Sequence, residues 1–238
     1  MLANLIMVAA LWPPHVMQLC NPNEETHILG VAQSPSGDFL YCEHIEISSE
    51  HNLDISYIKD GKKFAEKKVT RTANPATPSI EQIDSRSGET RLASINQQML
   101  SMQYQASRKE KMQSTQIPMA DVDVVDAGFD YFIREHWDDL QAGKVLPVNF
   151  ASIAHQKVLS LRVRKLESQK CAEKNEMTQP PYCYFVEIDN ALLRLVLGNI
   201  KLGYDDQRRL VNFNGVVNIE DEKGSTQTAD IRYYYKAE

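Results

Sequence analysis

The feature that most constrains this chain is the series of short alternating segments in its second half. Apolar side chains fall at every second position in Tyr184, Val186 and Ile188, in Ile200, Leu202 and Tyr204, in Val211, Phe213, Gly215, Val217 and Ile219, and in Ile231, Tyr233 and Tyr235. A period of two is how a strand with one buried face is written. Asp205-Asp206-Gln207 and Glu222-Lys223-Gly224 supply polar turns between the runs,. The pattern predicts a mainly β fold: a large, mostly antiparallel curved sheet or incomplete barrel.

The first half carries the same signature. A first strand is expected near His27, Ser34 to Asp38 turn the chain, and Phe39, Tyr41, Ile45 and Ile47 share one face of the next strand. Leu53, Ile55 and Tyr57 lead into Asp60-Gly61, a strong hairpin dipeptide, and residues 64–69 return,. Residues 80–84 and 91–95 flank Arg86-Ser87-Gly88, a second hairpin. Leu100, Met102 and Tyr104 form another short strand. Residues 106–120 are polar and aperiodic, which reads as a loop or linker. One amphipathic helix follows over 126–142. Phe129, Phe132, Ile133, His136, Trp137 and Leu140 fall on one stripe, with Asp126 as N-cap and Gly143 just past the end,. Burying that stripe contributes roughly 1.5–3 kcal/mol per large side chain. Such a helix is expected to cover the sheet, either across its concave face or at an open end.

Residues 1–25 read as a signal-like or tethering segment, and 26–238 as a single β-rich domain. Leu2 to Trp12 is apolar and of signal-peptide length, far too short to span a bilayer,. Its departure from an export signal is the missing basic region, since no Lys or Arg precedes Lys59. Net charge is −6, against a nucleic-acid-binding surface,. The four cysteines lack the close spacing of zinc or redox sites,. Cys171 and Cys183 bracket a polar insert and suit a disulfide, worth about 3 kcal/mol in the loop-entropy account and natural in an oxidising compartment. Cys20 and Cys42 offer a second, weaker pairing.

Two passages, FDYFIREHWDDLQAGKVLPVNF and IKLGYDDQRRLVNFNGVVNIEDEKG with the later ADIRYYY, resemble a family of uncharacterised bacterial exported proteins, a domain of unknown function. Its members resemble the curved half-barrels of periplasmic lipoprotein carriers. The resemblance spans about residues 36–238 and implies a fold and a periplasmic compartment; no catalytic signature comes with it.

Candidate chemistry is sparse. Glu43-His44-Ile45-Glu46 places His44 and Glu46 on one strand face with Cys42, which invites a metal but reads better as an exposed polar face,. His136 lies on the apolar stripe, so it reads as a packed residue. Asp121, Asp123 and Asp126 lack the loop of a calcium site. Arg162 and Arg164 share a face and, with Arg194, form a candidate for an anionic head group; solvated charge is the plainer reading. No nucleophile elbow, HExxH, phosphate loop or dinucleotide fingerprint occurs,. Tyr233-Tyr234-Tyr235 puts aromatics on both faces of the last strand, so that strand is either covered on both sides or lines a cavity.

The expectation is therefore a non-enzymatic envelope protein without cofactor or metal, not integral to the membrane, binding a lipid or other hydrophobic ligand. Phe129, Phe132, Trp137, Tyr204, Phe213, Tyr233 and Tyr235 are the candidate ligand-binding residues,. The alternatives are a hydrolase using His44 or His136, and a module whose sheet edge pairs with a protein partner in the envelope.

Overall fold

The computed structural model describes residues 12–49, 52–168, 171, 180–189 and 199–237. A short helix, α1 (Pro14–Cys20), precedes eight strands: β1 (Ile28–Gln33), β2 (Phe39–Ser49), β3 (Asn52–Lys59), β4 (Lys62–Thr70), β5 (Ser79–Asp84), β6 (Glu89–Asn96), β7 (Met99–Gln105) and β8 (Gln113–Pro118). A single 3-10 turn (Met119–Asp121) leads to β9 (Val124–Val125), then to α2 (Gly128–Glu135) and α3 (Trp137–Gln141). The remaining strands are β10 (Leu146–Ser152), β11 (Lys157–Leu166), β12 (Tyr182–Ile188), β13 (Ile200–Tyr204), β14 (Leu210–Val216) and β15 (Thr228–Tyr235).

All fifteen strands among the described residues belong to one sheet, in the order β8-β7-β6-β5-β4-β3-β2-β1-β15-β14-β13-β12-β11-β10-β9. Every described pairing is antiparallel except β9 with β10. The last strand therefore seals the middle of the sheet against the first, with Ile28 opposite Tyr235 and Gln33 opposite Asp230. The two edges are consecutive in sequence, joined by the 3-10 turn. They also meet in space: Val122, Val125, Ala151 and Ile153 from one edge pack in the same buried cluster as Ile80, Ala93, Leu100 and Met102 from the other half. This is the expected incomplete barrel, curled until its edges share a core without pairing.

Local chemistry explains the hairpins. Asp60 and Gly61 both take positive φ, 51° and 72°, as the two-residue turn between β3 and β4 requires,. The sequence expectations need three amendments. The polar stretch 106–120 contains β8, whose side chains are largely exposed, so no apolar alternation marks it. The single helix is two, broken at His136 (φ −97°, ψ 20°). Asp126 does not cap it: its φ is 44° and its carboxylate is spent on Lys67 and Asn218, while Ala127 holds the cap position. Gly143 does follow the second helix in a left-handed conformation.

Three buried clusters result. One lies inside the sheet between β1–β7 and the loops around 122–127, 151–153 and 217–219. A second lies where α2 and α3 cover the same face over β10–β13. Phe213 packs against both. The third is on the opposite face, where Trp12, Val16 and Cys20 cover Leu29, Val31 and Cys42. The last strand is thus covered on both sides, with Tyr233 packed inward and Tyr234 against α1.

Two disulfides are present. Cys171–Cys183 joins the loop after β11 to β12, and Cys20–Cys42 staples α1 to β2. Disulfides persist in oxidising compartments, which points to an exported environment. No helix among the described residues is long and apolar enough to cross a membrane.

Candidate functional site

The inner face of the sheet has two unlike regions. Over β10–β13 it is aromatic. Trp137, from α3, meets Tyr182, Tyr184 and Tyr204 edge-on at 5.0, 5.3 and 5.6 Å between ring centroids. Alternation puts Tyr184 and Tyr204 on one face, and the pairing of Tyr184 with Leu202 brings the two tyrosines together at 5.6 Å. Phe129 of α2 bridges to Phe132 and to Phe150 of β10, each at 6.1 Å. Polar ties hold the helix pair down: Gln141 donates to the Tyr184 hydroxyl at 2.5 Å, Lys165 donates to Gln141 at 2.7 Å, and Arg208 lies 5.1 Å above the Trp137 ring. At the start of α2 the backbone runs so close to β5's approach that a Cβ on Gly128 would sit 2.0 Å from the Ala76 carbonyl oxygen.

Five of the seven expected ligand-binding residues, Phe129, Phe132, Trp137, Tyr204 and Phe213, gather in or against this one cluster. Tyr233 and Tyr235 continue along β15, the first packed in the neighbouring cluster, the second donating from its hydroxyl to the Leu210 carbonyl at 2.9 Å. Their rings fill the space themselves, and none of the seven lines either of the two clefts described below. His136 stacks on Phe132, centroids 4.4 Å apart.

Over β2–β6 the inner face is charged, which sequence reasoning missed. Cross-strand pairing lines up Ile55, Lys67, Gln82 and Arg91 on successive strands, with Glu43, Asp84 and Glu89 in the next row. Lys67 pairs with Asp126 at 2.7 Å, both side chains at most 7% exposed. Asn218 donates to the other Asp126 oxygen at 2.6 Å and accepts from Arg91 at 2.8 Å. Arg91 also holds Glu89 through two hydrogen bonds of 2.9 and 2.6 Å. Gln82 donates to the Asn218 carbonyl at 2.9 Å. Buried charges are tolerated when paired, and Lys67 and Arg91 each have a carboxylate partner, while Glu89 Oε2 and Gln82 Oε1 are buried without a hydrogen bond among the described residues,.

Glu43 is the exception to strong pairing. The Tyr233 hydroxyl donates to it at 3.1 Å, across Gly30 of β1, where a Cβ would come within 3.0 Å of the tyrosine ring and 3.1 Å of the Glu43 Cβ. Burial, with Asp126 adding to it, pushes the Glu43 carboxyl up to about 7, against the opposing pull of Lys67 and the tyrosine. Around it the Tyr41, Tyr57 and Tyr233 hydroxyls are pushed well above their ordinary range, by burial first and Glu43 next.

The expected exposed face at Glu43-His44-Ile45-Glu46 is therefore corrected on both sides. Glu43 points into the barrel. His44 is 4% exposed beneath α1, its Nε2 3.0 Å from the Cys20 carbonyl, and Cys42 is in a disulfide. Burial lowers the His44 pKa. The burial of Cys42 by a segment read as a targeting sequence is what hid this. No group of three His, Cys, Asp or Glu side chains among the described residues is arranged to hold a metal. Asp123 accepts from the Asn149 amide at 2.8 Å instead. Arg162 pairs with Glu187 at 2.7 Å, Arg164 lies 4.8 Å over the Phe185 ring, and Arg194 falls outside the described residues.

Two clefts open beside the charged wall. One, about 420 Å³, lies between the β5–β6 turn and the loop at 220–224, lined by Asp84, Arg86, Glu220 and Asp221 among others. The other, about 110 Å³, lies at the root of α2, where Arg91, Asp126, Ser152, His155, Asn218 and Glu220 converge beside Phe150.

Among solved structures, the chain is similar to a β-barrel-like protein of a domain of unknown function, DUF1849, from Brucella abortus. The match has a TM-score of 0.51 and 7% sequence identity, and covers 89% of this chain and 98% of that one. At that identity the likeness speaks to fold alone: a barrel-like domain. No protein-family model matches the chain, and no curated protein matches it by sequence.

Proposed function

We propose that the protein is a non-enzymatic protein of the bacterial envelope that holds an apolar ligand, a lipid or acyl chain, between the α2–α3 pair and the sheet. The observation that carries this reading is the aromatic cluster beneath two short helices, broken at His136, on the inner face of an open barrel. Five of the seven residues named from strand alternation and the helical stripe meet there. Because their rings occupy the space, ligand entry needs the helix pair to swing away from β10–β13. The break at His136 and the modest length of each helix favour that motion over unfolding of the sheet. The two disulfides support an oxidising compartment, and the periplasm is the compartment we infer,. The test is native mass spectrometry of protein from its own host, followed by displacement of a fluorescent fatty acid from delipidated protein. A co-purified lipid and saturable displacement are expected. No bound lipid together with no saturable probe binding would remove the reading.

A further inference from the structure

The 110 Å³ cleft at the root of α2 differs in chemistry from the aromatic cluster, and the apolar reading leaves it unused. Ser152, at the end of β10, sits 8% exposed at its floor, with its hydroxyl 2.8 Å from the His155 ring nitrogen Nδ1. His155 and Thr226 form an exposed rim. Arg91 and Asp126 form the inner wall, fixed by Asn218 between them. Phe150 gives an aromatic side, and Val217 and Ile153 give aliphatic ones.

Charge decides the ligand class. The Arg91 and Lys67 cations are each matched by a buried carboxylate, Glu89 and Asp126. Glu220 adds a further acid, held above its ordinary range by burial and by Glu89, Asp84 and Asp221. An anion entering would meet Asp126 and Glu220 beside Arg91. A cation would meet Arg91, with Lys67 behind Asp126. Neither ion finds a clear counter-charge. Neutral groups that donate and accept at once suit such a wall, and hydroxyls are the groups that do both. The side chains are also held rigid by mutual hydrogen bonds, so little order has to be imposed on binding. A single water needs roughly 10–15 Å³ of such space, so the cleft of about 110 Å³ admits a group of several heavy atoms,.

We propose that this cleft binds a neutral, hydroxyl-rich group, a polyol or sugar ring, either free or as the head of a lipid. The hydroxyls contact Ser152, Asn218, Asp126, Arg91 and Thr226, and the ring's C–H face lies on Phe150. The two sources differ in what lies next door: Phe150 touches Phe129 of α2, so a lipid tail would continue into the aromatic cluster.

The experiment is titration of the whole protein with methyl glucoside, with octyl glucoside below its micelle concentration, and with inorganic phosphate and methylammonium, followed by NMR shifts. Both glucosides are expected to saturate and the two ions not to. Equal affinity for the two glucosides assigns a free sugar; tighter octyl glucoside that also displaces the fatty-acid probe assigns a lipid head. Ser152→Ala and Thr226→Val, one deep and one on the exposed rim, are each expected to weaken glucoside binding about fivefold, the usual effect of one lost hydrogen bond; melting stays unchanged in Thr226→Val and falls by about 2–4 °C in Ser152→Ala, which also gives up its bond to His155,. Neither variant touches the aromatic cluster, so probe binding should persist in both, and loss of probe binding alone would count against the apolar reading only. No saturation by either glucoside, phosphate or methylammonium binding as tightly, or glucoside affinity unmoved in both variants would overturn the proposal.

Discussion

The two halves of the inner face solve the same problem with different materials. Over β10–β13 the sheet buries Tyr184, Val186, Leu202 and Tyr204 against an apolar helix stripe, and stability there is hydrophobic and aromatic,. Over β2–β6 the inward positions include Glu43, Lys67, Gln82, Asp84, Glu89 and Arg91, and the wall holds because Lys67 is paired with Asp126, Asp84 with Arg86 and Glu89 with Arg91, while Glu43 has the Tyr233 hydroxyl. Asp126 and Asn218 come from the loops before α2 and after β14, so the charged wall ties both loops across the barrel. Under the reading proposed above, an apolar guest would trade its own contacts for those of the aromatic rings. Separating a charge from its partner in the charged half would instead leave a buried ion behind.

Substitutions can break that contrast. Lys67→Met strands Asp126 in the interior and should cost about 3–5 kcal/mol by urea denaturation. Adding Asp126→Leu should recover most of the loss; a double variant as unstable as the single would show that the pair is not the cause. On the aromatic side, Trp137→Ala should cost a similar ~3–5 kcal/mol from the cavity it leaves, but with no partner substitution able to repair it and no change between pH 5 and 8.

Glu43 sharpens the comparison through pH. Its folded value is about 7 against 4.5 for the free side chain. The folded chain therefore retains a proton that the unfolded chain has lost. The Glu43 contribution to stability is fullest below about pH 4.5 and is lost as pH rises from there through 7, by about 3 kcal/mol in all,. Glu43→Gln should match the wild type at pH 4.5 and exceed its stability at pH 8. Parallel denaturation curves for the two proteins at both pH values would contradict the burial of this carboxyl. A smaller effect is expected at Gly30→Ala, about 1–3 kcal/mol, because the new methyl crowds Tyr233 and Glu43,. Smallest is Lys63→Ala, which ends an exposed ion pair with Glu66 on β4: at most about 0.5 kcal/mol,.

The same contrast explains what the sequence disclosed. Alternation works where inward residues are apolar, so β10–β15 and their faces were legible, as were the Asp60-Gly61 turn and the Cys171–Cys183 bridge. It misleads where inward residues are charged. Lys67 carries no local mark of burial, since its partner Asp126 lies 59 residues away, and although Arg91 pairs with nearby Glu89, the Asn218 that ties it into the wall lies 127 residues away. Glu43 and His44 looked exposed because nothing nearby in sequence announces that α1 covers one side and Tyr233 the other. β8 went unread because an edge strand with exposed side chains needs no apolar face. The helix break at His136 was hidden by a stripe that runs unbroken across it. The small cleft was invisible for a related reason: Arg91, Ser152 and Asn218 are ordinary polar residues until three distant hairpins bring them together.

The most direct test of the account is hydrogen–deuterium exchange of delipidated protein with and without a long-chain fatty acid. The account predicts that protection changes are confined to residues 128–141 and to β12 and β13, with β2–β6 unmoved. Unchanged exchange at 128–141 under saturating fatty acid, or changes centred on the charged wall, would contradict it.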